Sequence, residues 1–87
     1  MTINEVVKEF TAKVPFRRPM KYARAGDTWY LYTENMLNGG SHLNVIENNY
    51  YSVENGKVMP VIFLDIPEGA HFIAVPIDLR TPNTPKP

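Results

Sequence analysis

Asp65 and His71 are the residues of this 87-residue chain whose types best fit acid-base chemistry. The segment Pro67-Glu68-Gly69 between them predicts a tight hairpin turn with Gly69 in a left-handed conformation. Counting outward from that turn places Asp65 opposite His71. A carboxylate beside an imidazole can serve as a base with its orienting partner, or as half of a metal site. No nucleophile or further ligand accompanies the pair, so we interpret it as a structural cross-strand contact.

Ser41-His42 is a second candidate, because it directly follows the glycine-rich segment Asn38-Gly39-Gly40. Such a segment can cradle an anion, and a serine can be a nucleophile. The spacing of a P-loop or a nucleophile elbow is absent, however, and we predict a plain loop over Asn35 to Ser41. The chain has no cysteine, which excludes a disulfide framework and a cysteine-based zinc site. We therefore expect no enzyme activity, no metal and no cofactor.

The segment from Lys13 to Tyr32 combines basic and aromatic side chains. Its first part, from Lys13 to Arg24, contains no acid and holds five of the nine basic residues: Lys13, Arg17, Arg18, Lys21 and Arg24. This combination suits phosphate groups with stacked bases, or an acidic protein surface rich in hot-spot residue types. We predict a partner-binding surface formed by Phe16, Arg17, Arg18, Lys21, Tyr22, Arg24, Tyr30 and Tyr32. The alternative is that Trp29 and alternate tyrosines are core residues while the arginines only solvate a loop.

Two functions fit such a surface. In the first, the chain is a small interaction protein that inhibits or modulates a larger protein, as small phage accessory proteins often do. The alternative is a protein that binds nucleic acid or a phosphate-containing small ligand, with its site at a dimer cleft. The formal net charge is zero, but acids prevail between Ala25 and Asp78. We therefore expect a basic patch beside an acidic remainder, which could steer a charged partner or self-associate.

An amphipathic helix is predicted at the start of the chain. Thr2 and Glu5 have the spacing of a capping box. Apolar residues follow at helical spacing, at Ile3, Val6, Val7, Phe10 and Val14. Val14-Pro15 ends the helix, and the prolines at 15 and 19 predict an irregular connector between them.

Hairpins should supply the sheet. Gly26-Asp27 predicts a turn between strands 20–25 and 28–34, with Trp29, Leu31 and Thr33 on one face and Tyr30, Tyr32 and Glu34 on the other. Asn55-Gly56 predicts a type I′ turn that places Val53 opposite Val58 and Tyr51 opposite Pro60. The turn at 67–69 then adds a third strand, with Phe63 opposite Ile73 and Pro60 opposite Pro76, where pairing ends. A further short strand is predicted over 42–47.

These elements predict one α+β domain over residues 1–79, in which the N-terminal helix packs on a mainly antiparallel sheet of about five strands, a hairpin plus a three-stranded meander. Residues 80–87 form a disordered, proline-rich tail. Apolar residues fall on both faces of the meander, so its second face needs a cover. Either the Trp29 hairpin folds over it as a second sheet, or a homodimer forms. The apolar run VIFLDI is too short to span a membrane, and we expect a cytoplasmic protein.

Overall fold

The computed structural model describes residues 1–35 and 49–80, in which a helix packs on one face of a five-stranded antiparallel sheet. The elements are α1 (Ile3–Lys13), β1 (Arg17–Ala25), β2 (Thr28–Asn35), β3 (Tyr50–Glu54), β4 (Lys57–Pro60), a 3₁₀ turn (Phe63–Asp65), β5 (Ile73–Ala74) and α2 (Ile77–Arg80). The strand order is β4-β3-β2-β1-β5. The predicted α+β class is therefore confirmed. The strand predicted over 42–47, most of the loop before it and the tail after residue 80 lie outside the described residues.

The helix α1 forms where its sequence signals predict. The Thr2 hydroxyl accepts a hydrogen bond from the Glu5 backbone N–H at 3.3 Å, and the Thr2 backbone N–H donates to Glu5 Oε1 at 2.8 Å. This capping box satisfies two N–H groups that the first turn would otherwise leave without partners. At the other end the Val14 N–H donates to the Phe10 carbonyl, and Pro15 prevents continuation.

Both predicted two-residue turns are confirmed. Gly26 has φ 64°, and Ala25 pairs with Thr28. At the second turn Asn55 and Gly56 have φ values of 53° and 75°, the left-handed pair that a type I′ turn requires. Val53 lies opposite Val58, as the turn predicts.

The two hairpins lie side by side, because β2 pairs with β3 in a register that sets Trp29 opposite Val53. Of the two covers considered for the second face of the meander, the Trp29 hairpin folded over it as a second sheet is therefore not formed. On the face toward α1, which we call the helix face, the buried core is formed by Val6, Phe10, Trp29, Leu31 and Val53. Tyr30 and Tyr32 point to the opposite face, which we call the second face.

The predicted third strand of the meander is wrong. Residues 61–72 form no strand, and β5 pairs instead with β1, with Lys21 opposite Ala74 and Tyr22 opposite Ile73. The predicted pairs of Asp65 with His71, Phe63 with Ile73, and Pro60 with Pro76 do not form. A turn does occur at the predicted place, since the Ala70 N–H donates to the Pro67 carbonyl, but Gly69 has no positive φ. The strand predicted to continue from Lys57 to Ile66 ends at Pro60, and the chain then leaves that edge.

Residues 61–72, which we call the strap, run from β4 at one edge of the sheet to β5 at the other. They cross the second face, where the ring centroid of Tyr50 lies 5.4 Å from that of Phe63 and 5.9 Å from that of Phe72. Tyr32 completes the cluster at 5.3 Å from Tyr50. The cover that the second face required is thus supplied in part by the chain itself.

Candidate functional site

A β-bulge in β1 divides the eight predicted partner-binding residues between the two faces. Pro19 pairs with Thr33 and Lys21 pairs with Tyr32, so Met20 is an extra residue in β1. An extra residue reverses the alternation of side chains on either side of it. Arg17 and Pro19 therefore share the helix face with Tyr22 and Arg24. The predicted connector over 15–19 is correspondingly wrong in part, because β1 already begins at Arg17.

Arg17 is buried, with 3% of its surface exposed. Its Nε donates to the Thr33 hydroxyl at 2.7 Å, while Nη2 donates to the Thr33 carbonyl at 3.2 Å and to Asn49 Oδ1 at 2.8 Å. These bonds tie β1 to β2 and to the residue that precedes β3. The Arg17 guanidinium therefore has a structural role, linking β1 to β2 and to the start of β3. Phe16 lies in the turn just before β1 and is about half exposed, at 48%.

Tyr22 and Arg24 lie against Trp29 on the helix face. The Tyr22 and Trp29 ring centroids are 5.9 Å apart, and the Arg24 guanidinium carbon lies 5.2 Å from the indole centroid. The Arg24 Nε also donates to the Gly26 carbonyl at 3.0 Å. Trp29 itself is buried, so it is a core residue, as the alternative interpretation of this segment held. Arg24 contributes a cation-π contact at the edge of that core.

The second face collects the remaining four predicted residues, Arg18, Lys21, Tyr30 and Tyr32, which we call the basic-aromatic face. Arg18 pairs with Glu34 across β1 and β2, and Lys21 with Tyr32. Lys21 is exposed, while both tyrosines are partly buried. Two cations and two phenol rings thus lie on one surface of the sheet, and Tyr32 belongs to the aromatic cluster that contacts the strap.

The strap adds a group of exposed apolar side chains that the sequence analysis missed. Ile62 is 61% exposed, Phe63 59% and Leu64 87%. A strand over this run, as the sequence predicts, would place these side chains against neighbouring strands instead. The sequence does contain an indication against a central strand, because Pro60 and Pro67 flank the run. A proline is tolerated in a sheet only on an edge strand, at the first residue of a strand or at a bulge.

Inside the bend of the strap lies a pocket with a volume of about 390 Å³. Its lining is apolar except for one carboxylate: Phe63, Leu64, Ile66, Pro67, Glu68, Ala70 and Phe72. Ile66 is buried and forms the inner wall. A volume at the lower end of the range of ligand sites, roughly 300–1,000 Å³, suits one bulky group rather than an extended ligand.

The residues with acid-base potential do not assemble into a centre. Within residues 1–35 and 49–80, neither the Asp65 carboxylate nor the His71 ring makes a hydrogen bond or ion pair, and no group of three or more histidines and carboxylates could hold a metal ion. Ser41 and His42 lie outside the described residues. In those same ranges no helix is long and apolar enough to cross a bilayer.

Comparisons of the chain with protein-family models, with curated proteins and with solved structures gave no match. The second face and the strap are therefore the features from which a function is inferred.

Proposed function

We propose that this protein is a non-enzymatic interaction protein that binds a larger protein through the basic-aromatic face and the adjoining strap. The observation that carries the proposal is the exposure of Ile62, Phe63 and Leu64. Clustered apolar side chains in water are unfavourable unless a partner covers them, and such patches mark protein interaction sites.

The two parts of this surface are continuous. Lys21 pairs with Tyr32, the Tyr32 ring contacts Tyr50, and Tyr50 contacts Phe63 of the strap. An apolar centre bordered by tyrosine, arginine and lysine has the composition of a protein interface, in which aromatic residues and arginine are enriched and polar groups form the rim.

The alternative, binding of nucleic acid or a phosphate-containing ligand, has less support because the cations are dispersed. Arg17 is buried, Arg24 lies on Trp29, and the Lys13 ammonium donates to the Gly56 carbonyl at 2.7 Å. Arg18 and Lys21 remain on the second face. Grooves that track a phosphate backbone depend on several cations along one path.

Within this proposal the protein inhibits or modulates its partner by covering a functional surface, as phage accessory proteins do, in the cytoplasm. A homodimer through the second face is the competing use of the same surface. The strap weakens the argument for that dimer, since it already covers part of the apolar second face from which the dimer was predicted.

The test is capture of a partner from a lysate of the source organism by the wild-type chain and by a double variant, Lys21→Glu with Tyr30→Ala. We expect the variant to lose the protein that the wild type captures, because it reverses a charge and removes a ring on the basic-aromatic face. Lys8→Glu makes the same charge reversal on the exposed side of α1 and should leave capture unchanged.

Salt dependence distinguishes the two candidate functions. Capture through an apolar and aromatic interface should persist when salt is raised, whereas a phosphate ligand should be lost steeply. Retention of the partner by a correctly folded double variant would refute the proposal. A nucleic acid that is released by moderate salt would favour the alternative.

A further inference from the structure

The strap pocket is braced by hydrogen bonds and ring contacts within the protein itself. Backbone hydrogen bonds brace it, from the Asp65 N–H to the Ile62 carbonyl at 2.9 Å and from the Ile66 N–H to the Phe63 carbonyl at 3.0 Å. Phe63 and Phe72, at the two ends of the bend, are both held by the Tyr50 ring. A preformed pocket loses little conformational entropy on binding, which favours even a small ligand group.

The segment that forms the pocket carries charge of one sign. Between Val58 and Leu79 the chain contains Asp65, Glu68 and Asp78 and no lysine or arginine. Glu68 lines the pocket, and Asp65 belongs to the same bend. Neither carboxylate has a hydrogen bond or an ion pair with another residue of the described ranges. An apolar pocket with free carboxylates on its rim complements an apolar group that has a cation beside it.

We infer that the strap pocket receives one bulky apolar side chain of the partner protein, from a segment in which a lysine or arginine flanks that side chain. The inference rests on the proposed function and specifies the partner's chemistry. The apolar side chain fills the space between Phe63, Leu64 and Phe72, and the flanking cation pairs with Glu68 at the rim. Small apolar pockets that accept one anchor residue are typical of interface hot spots.

The occupant can be tested with two short peptides and the full chain. One peptide carries a leucine flanked by arginines, and its match carries the same leucine flanked by glutamates. We expect amide NMR signals of residues 63–72 to shift on titration with the arginine peptide, and affinity for the glutamate peptide to be about fivefold weaker, since a rim ion pair contributes up to roughly 1 kcal/mol.

Two variants locate the contacts. Leu64→Glu places a charge at the pocket in a side chain that is 87% exposed, so the fold should tolerate it, and binding of the arginine peptide should be lost. Glu68→Lys should weaken that peptide by roughly fivefold and reverse the preference between the two peptides. Ile77→Glu is the matched control, because Ile77 is also a highly exposed apolar residue but lies in α2, and it should bind the arginine peptide as the wild type does.

Equal affinity for both peptides, or shifts confined to residues outside 63–72, would overturn the inference. So would shifts of the 63–72 signals that depend on protein concentration alone, because they would assign the pocket to a second copy of this chain. The partner capture experiment separates this inference from the proposed function. If Leu64→Glu still captures the partner while the Lys21→Glu, Tyr30→Ala variant does not, the pocket inference fails, and the proposed function stands with the basic-aromatic face alone as the binding surface.

Discussion

Arg17 places a permanent charge inside the sheet, where its desolvation is offset by hydrogen bonds to Thr33 and Asn49. Arg17→Met keeps the length and apolar stem of the side chain but removes the donors, leaving the oxygens of buried Thr33 and partly buried Asn49 with fewer partners. We expect a loss of about 2–3 kcal/mol in the free energy of unfolding, measured by urea denaturation.

Arg18→Met is the matched control, because Arg18 is only partly buried and its Nε has no hydrogen-bond partner within the described ranges. Its effect should stay within about 0.5 kcal/mol. Equal effects of the two changes would contradict the assignment of Arg17 as a structural residue. The sequence could not distinguish these neighbours, since the bulge at Met20 decides which of them faces the core, and Pro19 is compatible with a bulge without fixing its position.

The turn between β3 and β4 requires a positive φ at Gly56, a conformation that residues with a Cβ adopt only at a cost in free energy. Gly56 has φ 75°, and a Cβ added there would meet nothing within 4 Å, so Gly56→Ala introduces conformational strain without a clash. We expect a loss of about 1 kcal/mol in thermal or urea unfolding. Gly69→Ala provides the comparison, because its surroundings are equally open and its φ is not positive. A neutral or slightly stabilising effect is expected for that change. Similar losses at both glycines would argue against the type I′ turn.

Elements specified by adjacent residues could be predicted, while those specified by distant partners could not. The capping box of α1 and the Asn55-Gly56 register each depend on residues within a few positions of one another. The two-residue strand β5 depends on β1, some fifty residues earlier, and its own residues would have suited the predicted meander equally well. For the same reason the four residues of the basic-aromatic face could be proposed from sequence, but the strap beside them could not.

At the scale of the molecule, the strap is fixed to the sheet through the Tyr50 ring, whose neighbours are Tyr32, Phe63 and Phe72. Tyr50→Ala removes the centre of that cluster. We expect a loss of about 2 kcal/mol in stability and faster amide hydrogen exchange over residues 61–72, with α1 less affected. Phe16→Ala, at an exposed ring outside the cluster, should change neither quantity appreciably. Unchanged exchange in the strap of the Tyr50 variant would mean that other contacts hold it.

The edges of the sheet determine how the molecule can associate. The Val61 N–H donates to the Tyr50 carbonyl, so the adjacent pair of Tyr51 and Pro60 is a non-hydrogen-bonded one, and the backbone nitrogen of Pro60 faces outward from the edge strand β4. Proline there removes a donor that an added strand would need. This favours association through the second face over strand addition.

Pro60→Val restores the outward N–H on β4 and should increase self-association with concentration, measured by sedimentation velocity against the wild type. Pro67→Val changes the same residue type in the strap, away from the sheet edges, and should sediment as the wild type does. If Pro60→Val also sediments as the wild type, the proline is not what protects this edge, and the short length of β4 must limit pairing instead. Any association of the wild type should then respond to Leu64→Glu on the strap and not to Pro60→Val, because the strap carries a cluster of exposed apolar side chains at residues 62–64.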